Sequence, residues 1–204
     1  MSAPTVRTGI IDGDCVEVLA GWRPDCVDAV VTDPPWNLGR DYGPHDDGMP
    51  RDEHVMWLAD VLAACRRVSR GPVVFLPGAH LLDRVPELLG RAGLGAVATL
   101  TWRKPAPEPV VWAGARWLGT GPCDPIVARE LPPGDPARGE HPCPKPLALM
   151  LALVETAAPP GGVVLDPFAG SGTTLLAAAA LGRAGVGIER DSRYAALARR
   201  RTGA

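Results

Sequence analysis

Short apolar runs closed by turn residues alternate along this chain with longer stretches of helical period. The runs Gly9 to Ile11, Ala29 to Thr32, Val73 to Leu76, Val97 to Thr101, Val163 to Leu165 and Gly185 to Ile188 read as strands, each too short for a helix and bounded by polar or turn residues. Val55, Leu58, Val61, Leu62, Cys65 and Val68 recur at spacings of three and four, which predicts a helix from Glu53 to Val68 that Gly71 and Pro72 stop. A second helix is predicted to start at Pro146, carry Leu147, Met150, Leu151 and Val154 inward and end before Pro159. A third runs from Leu175 to Leu181. Strands alternating with helices of this length imply an α/β architecture, a mostly parallel sheet with helices on both faces.

The pattern fails between Pro105 and Pro144. Prolines and glycines crowd that stretch, and Trp102, Trp112 and Trp117 lie in or beside it. It reads as an inserted loop region, and a long loop in a compact domain is a place to expect substrate contacts.

With 204 residues the chain is expected to form one domain. Its amino-terminal half, about 1–104, its insertion, about 105–144, and its carboxyl half, about 145–204, divide the labour within it. No apolar stretch approaches the roughly 18 residues of a membrane span, and Met1 to Gly13 lacks a secretory pattern, so a cytoplasmic location is expected. Net charge is only −2, yet Arg183, Arg190, Arg193, Arg199, Arg200 and Arg201 gather near the carboxyl end. They fit either a solvated helix face or a phosphate-contacting one. The five cysteines are scattered without a Cys-x-x-Cys pair and are read as free thiols; no metal is assigned, the nearness of His141 to Cys143 notwithstanding.

Two segments carry the chemistry. In the first, the strand ending at Asp166 runs into Pro167-Phe168-Ala169-Gly170-Ser171-Gly172-Thr173-Thr174, then a helix, then a strand that ends on Glu189. Gly170 and Gly172 allow a tight turn and close approach to a ligand, and an acid at the end of the second strand suits two ribose hydroxyls. A pyrophosphate would want a third glycine where Thr173 and Thr174 stand, and Asp166 would repel it while suiting an ammonium. A lone Gly-x-Gly also fits a plain strand-to-helix turn; Glu189 favours the nucleoside reading, and the ligand with a ribose and an α-amino group but no phosphate is S-adenosylmethionine.

In the second segment, the strand Val27 to Thr32 ends in Asp33-Pro34-Pro35-Trp36. The prolines stiffen the turn and bring no competing N–H, so the Asp33 carboxylate and the Pro34 carbonyl present two acceptors beside an aromatic face. Two acceptors and a stacking ring suit an exocyclic amine on a flipped base. A rigid turn with a core tryptophan is the plainer alternative.

Together these segments resemble the amino-methylating DNA methyltransferases, in the permuted group whose catalytic motif precedes the cofactor motif. Ile11-Asp12-Gly13-Asp14-Cys15 is similar to the family's segment at the cofactor adenine, although Asp14 with Glu17 also fits a helix capping box. His141-Pro142-Cys143-Pro144-Lys145-Pro146 is similar to its His-Pro-x-x-Lys-Pro signature, and Asp166-Pro167-Phe168-x-Gly170-Ser171-Gly172 to its cofactor loop. The resemblance implies a Rossmann-like methyltransferase fold, S-adenosylmethionine as cofactor and double-stranded DNA as partner, with a homodimer or a partner subunit left open. It assigns Asp33, Pro34, Pro35 and Trp36 to the reacting base. To the cofactor it assigns Asp14, Cys15, Asp33, Lys145, Asp166, Pro167, Phe168, Gly170, Ser171, Gly172, Thr173, Glu189 and Arg190. Asp at the first motif position implies adenine N6 as the target, with cytosine N4 or an RNA amine as the nearest alternative and a catalytically silent binding protein as another. Trp36 departs from the family's commoner tyrosine, and the stretch from Lys104 to His141 is short for a region that reads a sequence.

Overall fold

The computed structural model describes residues 8–42, 47–114, 126–127 and 137–204. Their strands form one sheet in the order β1, β8, β7, β2, β3, β5, β4, β6, where β1 is Gly9–Asp12, β2 Ala29–Thr32, β3 Val73–Phe75, β4 Ala96–Arg103, β5 Glu108–Ala113, β6 Ile126–Val127, β7 Val163–Asp166 and β8 Ala184–Glu189. All neighbours are parallel except β3 with β5 and β5 with β4. The helices are α1 (Cys15–Ala20), α2 (Arg51–Val68), α3 (Val85–Ala92), α4 (Leu147–Ala157), α5 (Thr173–Ala180) and α6 (Ser192–Thr202).

Alternation along the strands divides the core in two. Val30, Val73, Phe75 and Leu165 point to the face covered by α1, α2 and α3, while Ala29, Val31, Val74 and Val164 point to the face covered by α4 and α5. Central strands buried on both faces therefore read as continuous apolar runs, as parallel sheets do.

All six predicted strands form, with ends shifted by at most two residues. Two expectations need correction. The region expected as a loop from Pro105 to Pro144 contains β5, wholly buried between β3 and β4, and the short β6. Pro107 and Pro109 disguise β5; Pro109 sits beside the strand's first residue, where a missing ladder N–H is tolerated. Of the region's tryptophans, Trp112 is a core residue, Trp102 is 3% exposed, and Trp117 lies outside the described residues. Pro146 is the N-cap of α4, not its first helical residue.

The carboxyl-terminal arginines act as staples. Arg183 donates to the carbonyls of Ala158 and Glu155 at the end of α4, Arg199 bonds Asp12, Arg200 bonds Glu140, and Arg201 donates to the Ser171 carbonyl in the glycine turn. The four described cysteines Cys15, Cys26, Cys65 and Cys143 are free thiols, while Cys123 lies outside the described residues. No helix among the described residues is long and apolar enough to cross a membrane.

Candidate active site

Strand order reverses between β7 and β2. From β7 the chain passes through α5 to β8 on one side, and from β2 through α2 to β3 on the other, which opens a crevice at the carboxyl ends of these two strands. Open α/β sheets bind ligands at such a point. The register pairs Val30 with Leu165, so the Asp33 turn and the glycine turn leave the sheet at nearly the same height. A hydrogen bond ties them together: Thr32 Oγ1 donates to Asp166 Oδ1 at 2.7 Å.

Two adjoining cavities open there. The first spans about 860 Å³, the open solvent at its mouth included. It is lined by Asp14, Cys15, Asp33, Pro35, Lys145, Asp166, Pro167, Phe168, Gly170, Ser171, Thr173, Glu189 and Arg190, so every residue expected at the cofactor faces it except Gly172. Gly172 serves the backbone instead: its φ is +79°, and a Cβ there would lie 3.1 Å from that of Ala198. Aromatic rings complete the cavity. Trp57 lies 5.6 Å from Phe168 with the rings tilted at 55°, and His141 lies between Tyr194 at 4.6 Å and Tyr42 at 6.3 Å. Trp57, Tyr42, His141 and Tyr194 were not expected as lining; His141 could have been found from its place in the signature before α4, the others only from the fold.

The polar groups of this cavity are tightly tied. Glu189 Oε2 accepts from the Gly170 amide and Oε1 from the Asp191 amide, each at 2.8 Å, which clamps the glycine turn to the end of β8. Burial raises the Glu189 carboxyl above its ordinary range against those bonds. Asp166 accepts from Thr32, Thr174 and the Phe168 amide, and burial pushes its carboxyl up to about 6 despite them. Asp14 Oδ1 caps α1 by accepting from the Val16 amide at 2.9 Å and the Glu17 amide at 3.3 Å, while its Oδ2 lies 3.7 Å from Arg190. Burial pushes the Cys15 thiol up to about 12, so it stays protonated and acts as a small apolar surface. Burial, then Lys145, brings His141 down to about 4; its Nδ1 accepts from the Cys143 amide at 3.2 Å.

The second cavity is wider and shares Asp33, Tyr42, His141 and Lys145 with the first. Trp36, Trp102, Lys104 and Glu108 line it further out. Trp36 is fixed by its indole N–H, which donates to the Leu76 carbonyl at 2.9 Å and to Asp33 Oδ1 at 3.2 Å. Gly78 lies close against it, since a Cβ there would come within 3.1 Å of the ring. Pro34 is buried and faces neither cavity, whereas Pro35 faces the first.

Lys145 stands at the junction. Its Nζ lies 2.5 Å from Asp33 Oδ2 and 4.8 Å from the centroid of the Trp36 ring. Burial raises the Asp33 carboxyl above its ordinary range, opposed chiefly by the Lys145 ammonium. Burial pulls the Lys145 amine down, but Asp33 outweighs it and leaves the amine above the ordinary lysine value. The resemblance places Lys145 at the cofactor; the structure adds a direct bond to Asp33. Among the described residues no group of three or more His, Cys, Asp or Glu side chains is placed to hold a metal ion.

Comparison with known proteins agrees with this geometry. A family model described as DNA methylase matches residues 111–200. The chain is 32% identical over 200 residues to YubD of Escherichia coli (strain K12), which carries the name of a methylase, covering 90% of this chain and 85% of that one. The crystal structure of the M1.HpyAVI–SAM complex matches with a TM-score of 0.73 at 25% identity, over 97% of this chain and 100% of that one. The PvuII DNA methyltransferase, specific for cytosine N4, matches in fold with a TM-score of 0.77 at 18% identity, over 95% and 87%.

Proposed function

Because this chain belongs to the amino-methylating DNA methyltransferases, we propose that it transfers a methyl group from S-adenosylmethionine to the exocyclic amine of a flipped DNA base, the N6 of adenine. The observation that carries this reading is the place of Asp33, which lines both cavities at once. The first cavity suits the cofactor by its donor set: a strand-end acid for ribose hydroxyls, aromatic walls for an adenine, and carboxylates where a phosphate would be repelled. S-adenosylmethionine supplies an electrophilic methyl on a sulfonium. The chain's own part is to hold the amine: Asp33 accepts an N–H, which keeps nitrogen electron density available, and the Trp36 face receives the unstacked base. Lys145 keeps Asp33 ionised so that it accepts and does not donate.

Incubation with labelled S-adenosylmethionine and unmethylated genomic DNA, followed by nucleoside mass spectrometry, tests the proposal. N6-methyladenine that disappears with Asp33→Ala is the expected result. N4-methylcytosine would overturn the choice of base, and the absence of any methylated nucleoside would overturn the activity.

A further inference from the structure

Leu38 lies in the wall of the second cavity and is held out in water. It is 56% exposed, and of the five large apolar side chains exposed among the described residues it alone lines either cavity. Single exposed leucines are ordinary on protein surfaces. What sets this one apart is the backbone that carries it. The amides of Asn37, Leu38 and Arg40 donate to the Asp47 carboxylate at 2.7, 3.0 and 2.8 Å, and the Gly39 amide donates to the Asp47 carbonyl at 2.7 Å. Asp47 is itself only 3% exposed. Four successive amides are thus tied to one buried residue, and left-handed backbone at Asn37 and Gly39, with φ of +59° and +72°, brackets Leu38 on both sides.

A base drawn out of a duplex into the second cavity leaves a gap in its stack, and an apolar side chain that fills the gap recovers part of the cost of unstacking. Such a side chain has to stand beside the base cavity, project into solvent before DNA arrives, and lose little freedom on insertion. Leu38 meets all three conditions. Arg40 and Arg138, both exposed, line the same cavity, so a duplex laid across it meets cations along its phosphates. We propose that Leu38 is a wedge that enters double-stranded DNA at the target site and takes the place of the flipped base, with the loop bound to Asp47 holding it rigid. This inference rests on the reading of the chain as a methyltransferase of flipped DNA bases.

The test uses Leu38→Ala and Leu38→Met in the full chain, substitutions that leave the amide bonds to Asp47 in place. Once methylation by the wild type has located the target, a fluorescent analogue replaces the target base in a duplex, 2-aminopurine for adenine or pyrrolocytosine for cytosine. Its fluorescence rises when it leaves the stack. At saturating protein the plateau therefore reads the fraction flipped within the complex, whatever the affinity. Leu38→Ala is expected to lower kcat/KM on duplex DNA about 10-fold and the plateau to about half of the wild-type value or less, the effect of withdrawing one leucine from the stack, while Leu38→Met keeps both. A residue that only supports the loop or the phosphate contacts would change the protein concentration needed and leave the plateau where it was. That result, or unchanged kcat/KM in Leu38→Ala, would overturn the wedge while leaving the activity standing. A wild-type protein that methylates no DNA would overturn the activity, and the wedge with it.

Discussion

Replacing Lys145 with methionine separates a residue that serves Asp33 from one that only lines the cofactor. The substitution keeps an unbranched apolar stem and deletes the ammonium 2.5 Å from Asp33 Oδ2. The two side chains are 11% and 18% exposed, so this is a largely buried pair. Removing one partner of a buried pair costs about 3–5 kcal/mol. The remaining solvent contact, and the freedom of Asp33 to protonate, bring the expected loss near neutral pH to about 2–3 kcal/mol. Burial already raises the Asp33 carboxyl and Lys145 opposes it, so the variant's carboxyl rises further. A protonated Asp33 has lost its charge and accepts the amine N–H far more weakly. Activity that needs the carboxylate is lost as pH falls through its folded pKa, and the acid limb of the kcat/KM profile therefore moves to higher pH. Stability runs the other way: with the folded pKa above the unfolded one, the variant is more stable at acidic pH and loses that stability as pH rises. The assay is a pH profile of kcat/KM on DNA for wild type, Lys145→Met and Lys145→Arg, with the arginine variant expected to keep the wild-type limb. A uniform drop in Lys145→Met at every pH, with the limb unmoved, would refute the argument and confine Lys145 to the cofactor.

Two further outcomes follow from the same site. Glu189→Ala should weaken S-adenosylmethionine binding about 10- to 100-fold by calorimetric titration and also lower stability by about 1–3 kcal/mol, since the Gly170 and Asp191 amides lose their acceptor; unaltered affinity would remove Glu189 from the cofactor. Asp166 has a folded pKa of about 6 against an ordinary value of 3.8, so it binds its proton more tightly in the folded chain. Its contribution falls by about 3 kcal/mol as pH rises across that interval. Asp166→Asn should flatten that part of the curve in urea melts, and parallel curves would refute the assignment.

What was legible in the sequence depended on how local its physical cause is. Strands, the Asp14 cap and the glycine turn are set largely by neighbouring residues, and each forms within two residues of where the pattern places it. β5 was hidden because a strand buried on both faces has no alternation, and flanking prolines mimic a loop. The arginines near the carboxyl end could be read as a phosphate-binding face from composition, yet four of them bond backbone carbonyls or acids that come from distant parts of the chain. The Lys145–Asp33 bond is likewise a product of tertiary placement, invisible to spacing or period.

The order of the two motifs along the chain matters less than the adjacency of their strands. Asp33 and the glycine turn lie more than a hundred residues apart, but β2 and β7 pair directly, and parallel pairing delivers both carboxyl ends to one edge of the sheet. In the proposed reaction the acceptor for the base lies beside the pocket for the cofactor, and that arrangement needs those two ends together. The Thr32–Asp166 hydrogen bond fixes that meeting from below, and the Lys145–Asp33 pair fixes it from the side. Lys145 itself comes from the segment just before α4, whose helix covers the sheet face beneath β2 and β7. Three separate stretches thus converge on one carboxylate, and the sheet neighbours, more than the sequence order, determine what that carboxylate can do.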